Sequence, residues 1–245
     1  MTVVIAGISG AIGGALAEQF LAEQPDEPVI GLARKMDAVN ARLREHPAVH
    51  LIEWQAEHPL DMARYPAIRT LLESANGGVS LIYAAGLLHN ETVAPEKRVE
   101  DMNPASMIQA FQVNCLGFGV LVQALAPWLR GKRLARVAAV SAKVGSIEDN
   151  RLGGWYAYRC SKAALNMMVK NLSVELPRRY APIACVALHP GTTRSNLSAP
   201  FSQSLAKLTV HEPDATAANL YEVLSGLSEE DNGRFISWDG SDLPW

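Results

Sequence analysis

A tyrosine and a lysine with complementary side-chain chemistry lie four residues apart, at Tyr158 and Lys162. The residues that follow favour a helix, and side chains four apart share one helix face. A phenol with an ordinary pKa of about 10 is a poor acid–base catalyst at neutral pH, but an adjacent ammonium group favours phenolate and lowers that pKa. The pair therefore predicts a group that protonates the alkoxide formed when a hydride reaches a carbonyl carbon. An exposed Tyr–Lys pair is the alternative.

A glycine-rich segment near the N-terminus is the second candidate for chemistry. It follows a short apolar run and precedes a helical pattern. Glycine lets backbone amides approach a pyrophosphate closely, and a helix N-terminus offers free N–H groups and a favourable dipole. We therefore predict dinucleotide binding here rather than a merely tight turn. The predicted contacts are Gly7, Ser9, Gly10, Ala11, Ile12 and Gly13.

The end of the second apolar run indicates which dinucleotide binds. An acidic side chain about 20 residues past the glycines would bond the ribose 2′-hydroxyl of NAD. This chain instead has Arg34 and Lys35 after Ala33. A cation attracts a 2′-phosphate, and arginine grips one with two hydrogen bonds. The segment predicts NADP(H) over NAD(H), with Arg34 as the contact; a solvated Arg–Lys pair is the alternative.

The hydrophobic pattern supplies the elements that must position these residues. Several of the seven predicted strands are apolar on both faces, as in a parallel sheet covered on two sides, and helical patterns separate them. This alternation predicts an α/β fold: a Rossmann-like doubly wound sheet of about seven parallel strands, with helices on both faces, in one domain over residues 1–245. The Tyr–Lys pair then follows the fifth strand, which favours its catalytic interpretation. The predicted strands are residues 2–6, 29–33, 50–55, 79–85, 134–141, 183–189 and 234–238.

Composition narrows the classes of partner and compartment. The 245 residues carry a net charge of −3, which argues against a nucleic-acid surface. No uninterrupted apolar run approaches the ~20 residues of a membrane span, and the N-terminus has no signal-peptide pattern. The three cysteines are far apart without metal-ligand spacing, which predicts reduced, mostly buried thiols and no metal site. We expect a cytoplasmic protein that acts on a small molecule, with no nucleic-acid or membrane partner.

At this point the chain resembles the short-chain dehydrogenase/reductase family over essentially its whole length. The glycine turn, Asn114, the Tyr–Lys pair and the Pro190-Gly191 dipeptide occur in that family's order and spacing. More narrowly, the chain is similar to the C-factor-like branch, which includes small carbonyl reductases. Segments 144–147, 153–159, 189–193, 238–240 and 244–245 carry that closer match.

The resemblance implies a role for each matched residue. Tyr158 would be the general acid/base, and Lys162 would lower its pKa and hold the nicotinamide ribose. Asn114 would hold a water in a proton relay to Lys162. Family members pair through the helices around Asn114 and Tyr158, so a homodimer or homotetramer is implied. Further cofactor contacts would come from Gln55 at the adenine, from Ala84, Ala85 and Gly86 beside the adenosine ribose, and from Pro190, Gly191, Thr192 and Thr193 at the nicotinamide end.

The chain departs from the family pattern at four positions. Ala11 replaces a glycine, which is tolerable where φ is negative. The usual asparagine after the fourth strand is missing from residues 83–86, where we expect altered packing. Gln55 replaces an aspartate and can still bond an adenine edge.

The fourth departure concerns the serine that orients the substrate. Its family position, three residues before Gly145, is occupied by Ala142. Ser141 is our preferred substitute, although neighbouring strand residues point to opposite faces. Ser146 could curl back instead, or no hydroxyl is present. Losing one hydrogen bond to the oxyanion costs on the order of 10²–10³ in rate.

The predicted substrate pocket is mostly apolar with aromatic edges, which suits a medium-sized carbonyl compound. His89 could touch the substrate, but we interpret it as a solvated loop residue. Trp155 and Tyr156 could equally be core residues. A protein that binds NADP(H) for sensing or signalling, with little turnover, is the second hypothesis; a dehydratase or epimerase is a third. Two poorly patterned segments, 91–104 and 192–213, either wall the pocket or form mobile loops. The predicted pocket residues are Leu87, Leu88, His89, Ile147, Trp155, Tyr156 and the loop at 197–208.

Overall fold

A computed structural model describes residues 1–75, 78–201 and 209–245. Within them, seven parallel strands form one sheet in the order β3-β2-β1-β4-β5-β6-β9. All seven predicted strands are confirmed, with ends within two residues of the prediction. A separate pair of two-residue strands was not predicted, because two residues carry no periodicity. The strands are β1 (Thr2–Ala6), β2 (Val29–Ala33), β3 (Val49–Glu53), β4 (Val79–Tyr83), β5 (Ala135–Val140), β6 (Ile183–His189), β7 (Thr192–Thr193), β8 (Val210–His211) and β9 (Phe235–Ser237).

Helices cover both faces of this sheet. A π-helical turn at Gln112–Leu116 joins the fourth and fifth helices into one continuous rod. The helices of the described chain are α1 (Ala11–Glu23), α2 (Ala41–Glu45), α3 (Pro66–Ser74), α4 (Pro104–Phe111), α5 (Gly117–Leu129), α6 (Tyr156–Glu175), α7 (Pro177–Tyr180) and α8 (Pro213–Gly226).

The strand β1 shows why the strands are apolar throughout. Val3 and Ile5 pack into a core with α1 and α8, whereas Val4 and Ala6 pack into a second core with α5 and α6. Successive strand residues point to opposite faces, so a sheet covered on both sides needs apolar side chains at every position. The predicted doubly wound architecture is confirmed.

The rod Pro104–Leu129 is long and apolar enough to cross a membrane by length and composition, with a mean hydropathy of 1.5. The sequence predicts no membrane span here, because polar residues interrupt the apolar runs of this segment. Half of the 18 residues over which this hydropathy is averaged are buried inside the molecule. Phe118, Leu121 and Leu125 of α5 pack into the core against the sheet. A buried core helix passes the same test as a membrane span, so the match is weak evidence for a membrane.

Parallel pairing brings the candidate residues to one edge of the sheet. In an open α/β sheet, ligands bind beyond the carboxyl ends of the strands. Each candidate segment directly follows a strand: residues 7–13 after β1, Arg34 after β2, Gln55 after β3, residues 84–86 after β4, Ser141 after β5 and residues 190–193 after β6.

Candidate active site

The turn after β1 is closed by backbone hydrogen bonds. The Gly7 amide donates to the Leu32 carbonyl at 2.9 Å, and the Gly10 amide donates to the Gly7 carbonyl at 2.9 Å. Gly7 has a φ of +87°, and a Cβ there would lie 2.7 Å from the Ala85 amide nitrogen. A Cβ on Gly13 would collide with the Gly7 carbonyl oxygen. Only glycine therefore fits at Gly7 and Gly13, which leaves a cradle open at the sheet edge.

The helix α1 begins at Ala11 and has no side-chain cap. An α-helix leaves its first N–H groups without intrahelical acceptors, and these carry the positive end of the dipole. Ser9 and Gly10 are exposed beside them. Within the described residues, Trp155 is the one non-glycine with a positive φ, so Ala11 is tolerated as expected. The free amides and the glycine cradle fit a pyrophosphate group.

The end of β2 lies beside the end of β3, because Ala33 pairs with Glu53 in the parallel register. Arg34, Lys35 and Gln55 follow these strand ends and are exposed. Arg34 forms no ion pair with any residue that the structure describes. The parallel register thus brings the exposed Arg34 and Gln55 to the carboxyl ends of two neighbouring strands.

Tyr158 and Lys162 lie on one face of α6, as their spacing predicts. The Lys162 ammonium is 5.8 Å from the centroid of the Tyr158 ring. Lys162 is 3% exposed, and its Nζ donates to the Val140 carbonyl at the end of β5, at 2.8 Å. A Cβ on Gly86 would lie 3.9 Å from the same Nζ. The Lys162 ammonium thus lies among three features: the end of β5, the segment after β4 and the Tyr158 phenol.

Burial acts against the charged forms of both groups. Burial raises the pKa of Tyr158 to about 12 and lowers the pKa of Lys162 to about 8. The Tyr–Lys spacing predicts a lowered phenol pKa; the structure gives the opposite direction, because burial disfavours the phenolate. Tyr158 is therefore a neutral phenol at neutral pH. Its hydroxyl forms no hydrogen bond with the described part of the chain, so the proton is available to a ligand.

Asn114 lies in the π-helical turn and is completely buried. Its Nδ2 donates to the Leu87 carbonyl at 2.8 Å and to the Ser161 hydroxyl at 2.9 Å, while its Oδ1 accepts from the Leu87 amide at 2.7 Å. Both amide hydrogens are used, so the side chain can bind water only through the remaining lone pair on Oδ1. Asn114 joins the segment after β4 to α6. π-helical turns are frequent at functional sites.

The two candidate serines after β5 are committed to other contacts. The Ser141 side chain is 2% exposed and donates to Asn166 Oδ1 at 2.6 Å. The Ser146 hydroxyl donates to the Trp245 carbonyl at 3.1 Å and accepts from the Asp149 amide at 3.0 Å. The prediction that Ser141 orients the substrate finds no support in these contacts, because Ser141 faces α6.

The segment after β6 turns sharply at Gly191, where φ is +74° and a Cβ would lie 2.9 Å from Trp238 Cδ1. Pro190 is buried beside it, and Thr192 is partly exposed. The Thr193 and Thr216 hydroxyls lie 2.9 Å apart, which ties the segment to α8. Residues 190–193 thus follow β6, which pairs with β5, and the last residue of β5, Val140, accepts a hydrogen bond from Lys162.

His189, the last residue of β6, is held inside this edge. Its Nδ1 accepts a hydrogen bond from the Lys143 amide at 3.3 Å. Burial, with the nearby Lys143 charge, lowers the pKa of His189 to about 4. The imidazole is therefore neutral at neutral pH and links β6 to the loop after β5.

Of the residues predicted to line the substrate pocket, Trp155 contacts Tyr158. Trp155 packs edge-on to the Tyr158 ring with centroids 6.3 Å apart, and Leu87 and Leu88 are buried. Ile147 is 77% exposed, on the loop after β5. Tyr156, at the start of α6, is partly buried. Part of the predicted pocket loop, residues 202–208, lies outside the described residues.

His89 has a different role from the solvated one expected. Its Nε2 lies 3.1 Å from the Asn196 carbonyl and 3.2 Å from the Leu197 carbonyl. Because a carbonyl only accepts, Nε2 donates in these contacts. His89 thus joins the loop after β4 to the segment after β7.

Sequence reasoning missed three residues that support the site. The Tyr83 hydroxyl donates to the Val113 carbonyl beside the π-helical turn at 2.5 Å. The Ser161 hydroxyl accepts a hydrogen bond from Asn114 Nδ2 and donates one to the Tyr158 backbone carbonyl, each at 2.9 Å. Glu96 is 4% exposed and accepts from the Ala157 amide at 3.2 Å. The hydrogen-bond partners of Tyr83 and Glu96 are distant in sequence, so local patterns could not reveal them. The one signal in the sequence was the carboxylate of Glu96 within a predicted loop.

The cysteines lie apart from this chemistry. Cys115 and Cys185 are buried, while Cys160 is exposed on α6. Burial raises the pKa of the Cys115 and Cys185 thiols. No group of three His, Cys, Asp or Glu side chains in the described ranges could hold a metal ion.

Comparison with known proteins agrees with this arrangement. C-signal of Myxococcus xanthus is 39% identical over 145 residues, covering 59% of this chain and 82% of C-signal. Carbonyl reductase Sniffer of D. melanogaster has the same fold, with a TM-score of 0.82, 24% identity and coverage of 100% and 99% of the two chains. An NADPH-bound carbonyl reductase from chicken fatty liver gives 0.80 at 25% identity, covering 100% and 94%.

The family model for short chain dehydrogenase matches residues 1–206, which is most of the chain. The predicted family and its C-factor-like, carbonyl-reductase branch are confirmed by these matches. The chain therefore belongs to the short-chain dehydrogenase family of oxidoreductases.

Proposed function

We propose that this protein is an NADP(H)-dependent carbonyl reductase that transfers hydride between nicotinamide and a carbonyl or secondary alcohol. The observation that carries the proposal is the Tyr158 phenol, neutral and without a hydrogen-bond partner in the described chain, beside the buried Lys162 ammonium. Similarity to an NADPH-bound carbonyl reductase from chicken fatty liver supports the choice of cofactor and reaction.

The residues that would hold NADP(H) lie along the sheet edge. Residues 7–13 would bind the pyrophosphate through backbone amides, and Arg34 would pair with the 2′-phosphate. Gln55 would meet the adenine, and residues 84–86 the adenosine ribose. Residues 190–193 would contact the nicotinamide, and Lys162 its ribose hydroxyls. When bound, NADPH supplies the hydride.

The chain's own residues supply the proton and the surroundings. The carbonyl oxygen of the substrate accepts a hydrogen bond from Tyr158, which passes its proton as charge develops on that oxygen. The Lys162 ammonium stabilises the resulting phenolate. Asn114 holds α6 against the loop after β4, and its remaining Oδ1 lone pair could bind a water that would return a proton through Lys162. Leu87 and Leu88 exclude bulk water.

Pocket composition supports a medium-sized, uncharged carbonyl substrate. Trp155 lies against the phenol, and the other predicted pocket residues Leu87, Leu88 and Ile147 are apolar. Apolar pockets with a few polar groups are typical of small-molecule sites. We place the protein in the cytoplasm as a homodimer or homotetramer, with a small-molecule partner and neither nucleic acid nor membrane.

The hydrogen bonds of the two serines after β5 favour a second candidate function, NADP(H) binding with little turnover. Ala142 stands at the family's serine position, and both Ser141 and Ser146 donate to other acceptors. Without that hydroxyl, the developing oxyanion has one donor fewer, and turnover is slower. A protein that binds NADP(H) as a sensor or signalling component, with little turnover, is therefore the alternative.

The test is NADPH oxidation, followed by absorbance, with a panel of aldehydes, ketones and quinones. We expect turnover with apolar carbonyl compounds, a lower Michaelis constant for NADPH than for NADH, and loss of turnover in Tyr158→Phe with NADPH affinity retained. Binding of NADPH without oxidation across the panel would support the sensor instead. A preference for NADH would contradict the role of Arg34.

A further inference from the structure

The catalytic helix α6 starts from an unusual backbone turn. Gly153, Gly154 and Trp155 all have positive φ, at 63°, 65° and 51°. Glycine adopts this left-handed region freely, whereas a bulky residue does so only where its surroundings impose it. Trp155 is the N-cap of α6 and lies three residues before Tyr158. Such outliers cluster at functional sites.

Glu96 imposes this conformation from the loop between β4 and α4. Its backbone carbonyl accepts from the Trp155 amide at 2.6 Å, and its carboxylate accepts from the Ala157 amide at 3.2 Å. One residue therefore binds two amides on either side of the start of α6. A Cβ on Gly154 would lie 3.3 Å from the Glu96 carbonyl oxygen, which shows how closely the two segments approach.

The Glu96 side chain is buried, and this burial requires an explanation. It is 4% exposed, and its second oxygen, Oε1, has no hydrogen-bond partner in the described chain. A buried acidic side chain is costly unless it is compensated, and the positive N-terminal end of a 20-residue helix provides partial compensation. No side chain of a neighbouring residue caps α6 in its place.

We infer that Glu96 is a positioning residue for the reaction: it holds Trp155 in the left-handed conformation and so sets the substrate side of Tyr158. The inference rests on the proposed function for its kinetic consequence, but its structural claim stands separately. The Trp155 ring meets the Tyr158 ring edge-on, 6.3 Å between centroids, so a shift of the turn moves the aromatic wall beside the phenol. Glu96 thereby couples the loop after β4 to the acid–base group.

The kinetic test compares Glu96→Ala, Glu96→Asp and Glu96→Gln with wild type. Glu96→Ala removes the side-chain acceptor of the Ala157 amide and keeps the backbone carbonyl that binds Trp155, whereas Glu96→Asp keeps a carboxyl group but shortens its reach. We expect both to lower kcat, by about 10²-fold for alanine, and to raise KM for the carbonyl substrate. The affinity for NADPH should not change, because the glycine turn is untouched. Glu96→Gln keeps an acceptor oxygen and should stay close to wild type. Glu100→Ala, an exposed acid in the same segment, is the matched control.

Amide hydrogen exchange, measured without substrate, tests the structural claim independently. We expect faster exchange at Ala157 in Glu96→Ala and Glu96→Asp, because its acceptor is the Glu96 carboxylate. The increase at Trp155 should be smaller, because its acceptor is the backbone carbonyl of residue 96, which remains. Glu96→Gln and Glu100→Ala should exchange as wild type. If the wild type lacked reductase activity, this exchange pattern would still support the positioning role while the proposed function failed. Unchanged exchange together with unchanged kinetics in the alanine and aspartate variants would overturn the inference. The glutamine and aspartate variants suffice if the alanine variant does not fold.

Discussion

Ala142 is the residue at which this chain departs most from the chemistry of its family. It follows β5 in extended conformation, with φ of −152° and ψ of 145°, and it is partly exposed at the sheet edge. Ser141, one residue earlier, faces α6 and donates to Asn166. In the proposed reaction, the Tyr158 hydroxyl is therefore the donor to the developing oxyanion that we identify among the described side chains.

Restoring a hydroxyl at this position should raise turnover. We expect Ala142→Ser to increase kcat by ~10-fold or more, because one oxyanion donor is worth on the order of 10²–10³ in rate. NADPH oxidation at saturating substrate measures the effect. Ala142→Val adds similar bulk without a hydroxyl and should bring no gain. Equal rates for wild type and the serine variant would show that the reaction needs no second donor.

Lys162 makes the free energy of unfolding depend on pH. Its folded pKa is about 8, below the ordinary value of 10.5, because burial disfavours the ammonium. Between these values the unfolded chain holds a proton that the folded chain has released, so stability rises as pH rises through this window. The gain is at most about 3 kcal/mol across the whole window.

Denaturant unfolding without nucleotide, at pH 8 and pH 10, measures this contribution. Between pH 8 and pH 10, the free energy of unfolding of the wild type should rise relative to that of Lys162→Met. Methionine fills a similar volume and does not titrate. Comparing the two proteins cancels the other groups, including Tyr158, whose raised pKa lowers stability only above pH 10. Parallel stability curves would contradict the depressed lysine pKa.

At the scale of elements, the loop after β5 depends on direct backbone contact with α6. A Cβ on Gly145 would lie 2.7 Å from the Lys162 Cβ and 3.0 Å from the Lys162 carbonyl carbon. The loop is further held by the Asn166 amide, which donates to the Gly145 carbonyl at 3.3 Å. Any side chain at Gly145 must push the loop away from the catalytic helix.

Gly145→Ala should therefore lower both stability and kcat. Overpacking of this kind costs about 1–3 kcal/mol, and the displaced helix moves Tyr158 and Lys162 together. Thermal unfolding and steady-state kinetics measure the two effects. Gly226→Ala, at the end of α8, has open space within 4 Å of its Cβ and should be neutral or stabilising by about 0.5–1 kcal/mol. Wild-type behaviour of Gly145→Ala would show that the loop adjusts freely.

At the scale of the whole molecule, α4 and α6 present an apolar stripe to solvent. Met167 and Val174 lie seven residues apart on α6 and are 60% and 54% exposed, and Ile108 of α4 is 60% exposed. The two helices pack against each other, and we propose that these exposed side chains belong to one surface. Exposed apolar patches of this kind mark interaction sites, and a second copy of the chain is the partner that we propose.

Met167→Glu should therefore shift the protein towards monomer in size-exclusion chromatography with light scattering. The introduced carboxylate would be buried without a partner in a symmetric interface, which is costly. Leu152→Glu is the matched control, because Leu152 is 88% exposed on a loop away from this stripe. A monomeric wild type, or an unchanged oligomer in Met167→Glu, would contradict the assignment of this face.

Much of the architecture followed from local patterns. Seven strands were predicted from their apolar runs, since a strand covered on both faces must be apolar at every position. The spacing of Tyr158 and Lys162 placed both on one helix face, because helical periodicity is a local property. The glycines at Gly7 and Gly13 marked a turn that admits no Cβ, and the structure shows the backbone atoms that a Cβ would meet.

Sequence alone thus determined the order of the elements, the edge at which the site forms and the side chains that share the face of α6. Tertiary structure decided which hydroxyls remain available after β5, which way burial shifts the Tyr158 and Lys162 pKa values, and that Glu96 reaches an amide 61 residues away. The physical reason is that hydrogen-bond partners and desolvation depend on which distant segments pack together. Periodicity and spacing record only what neighbours in the chain can do.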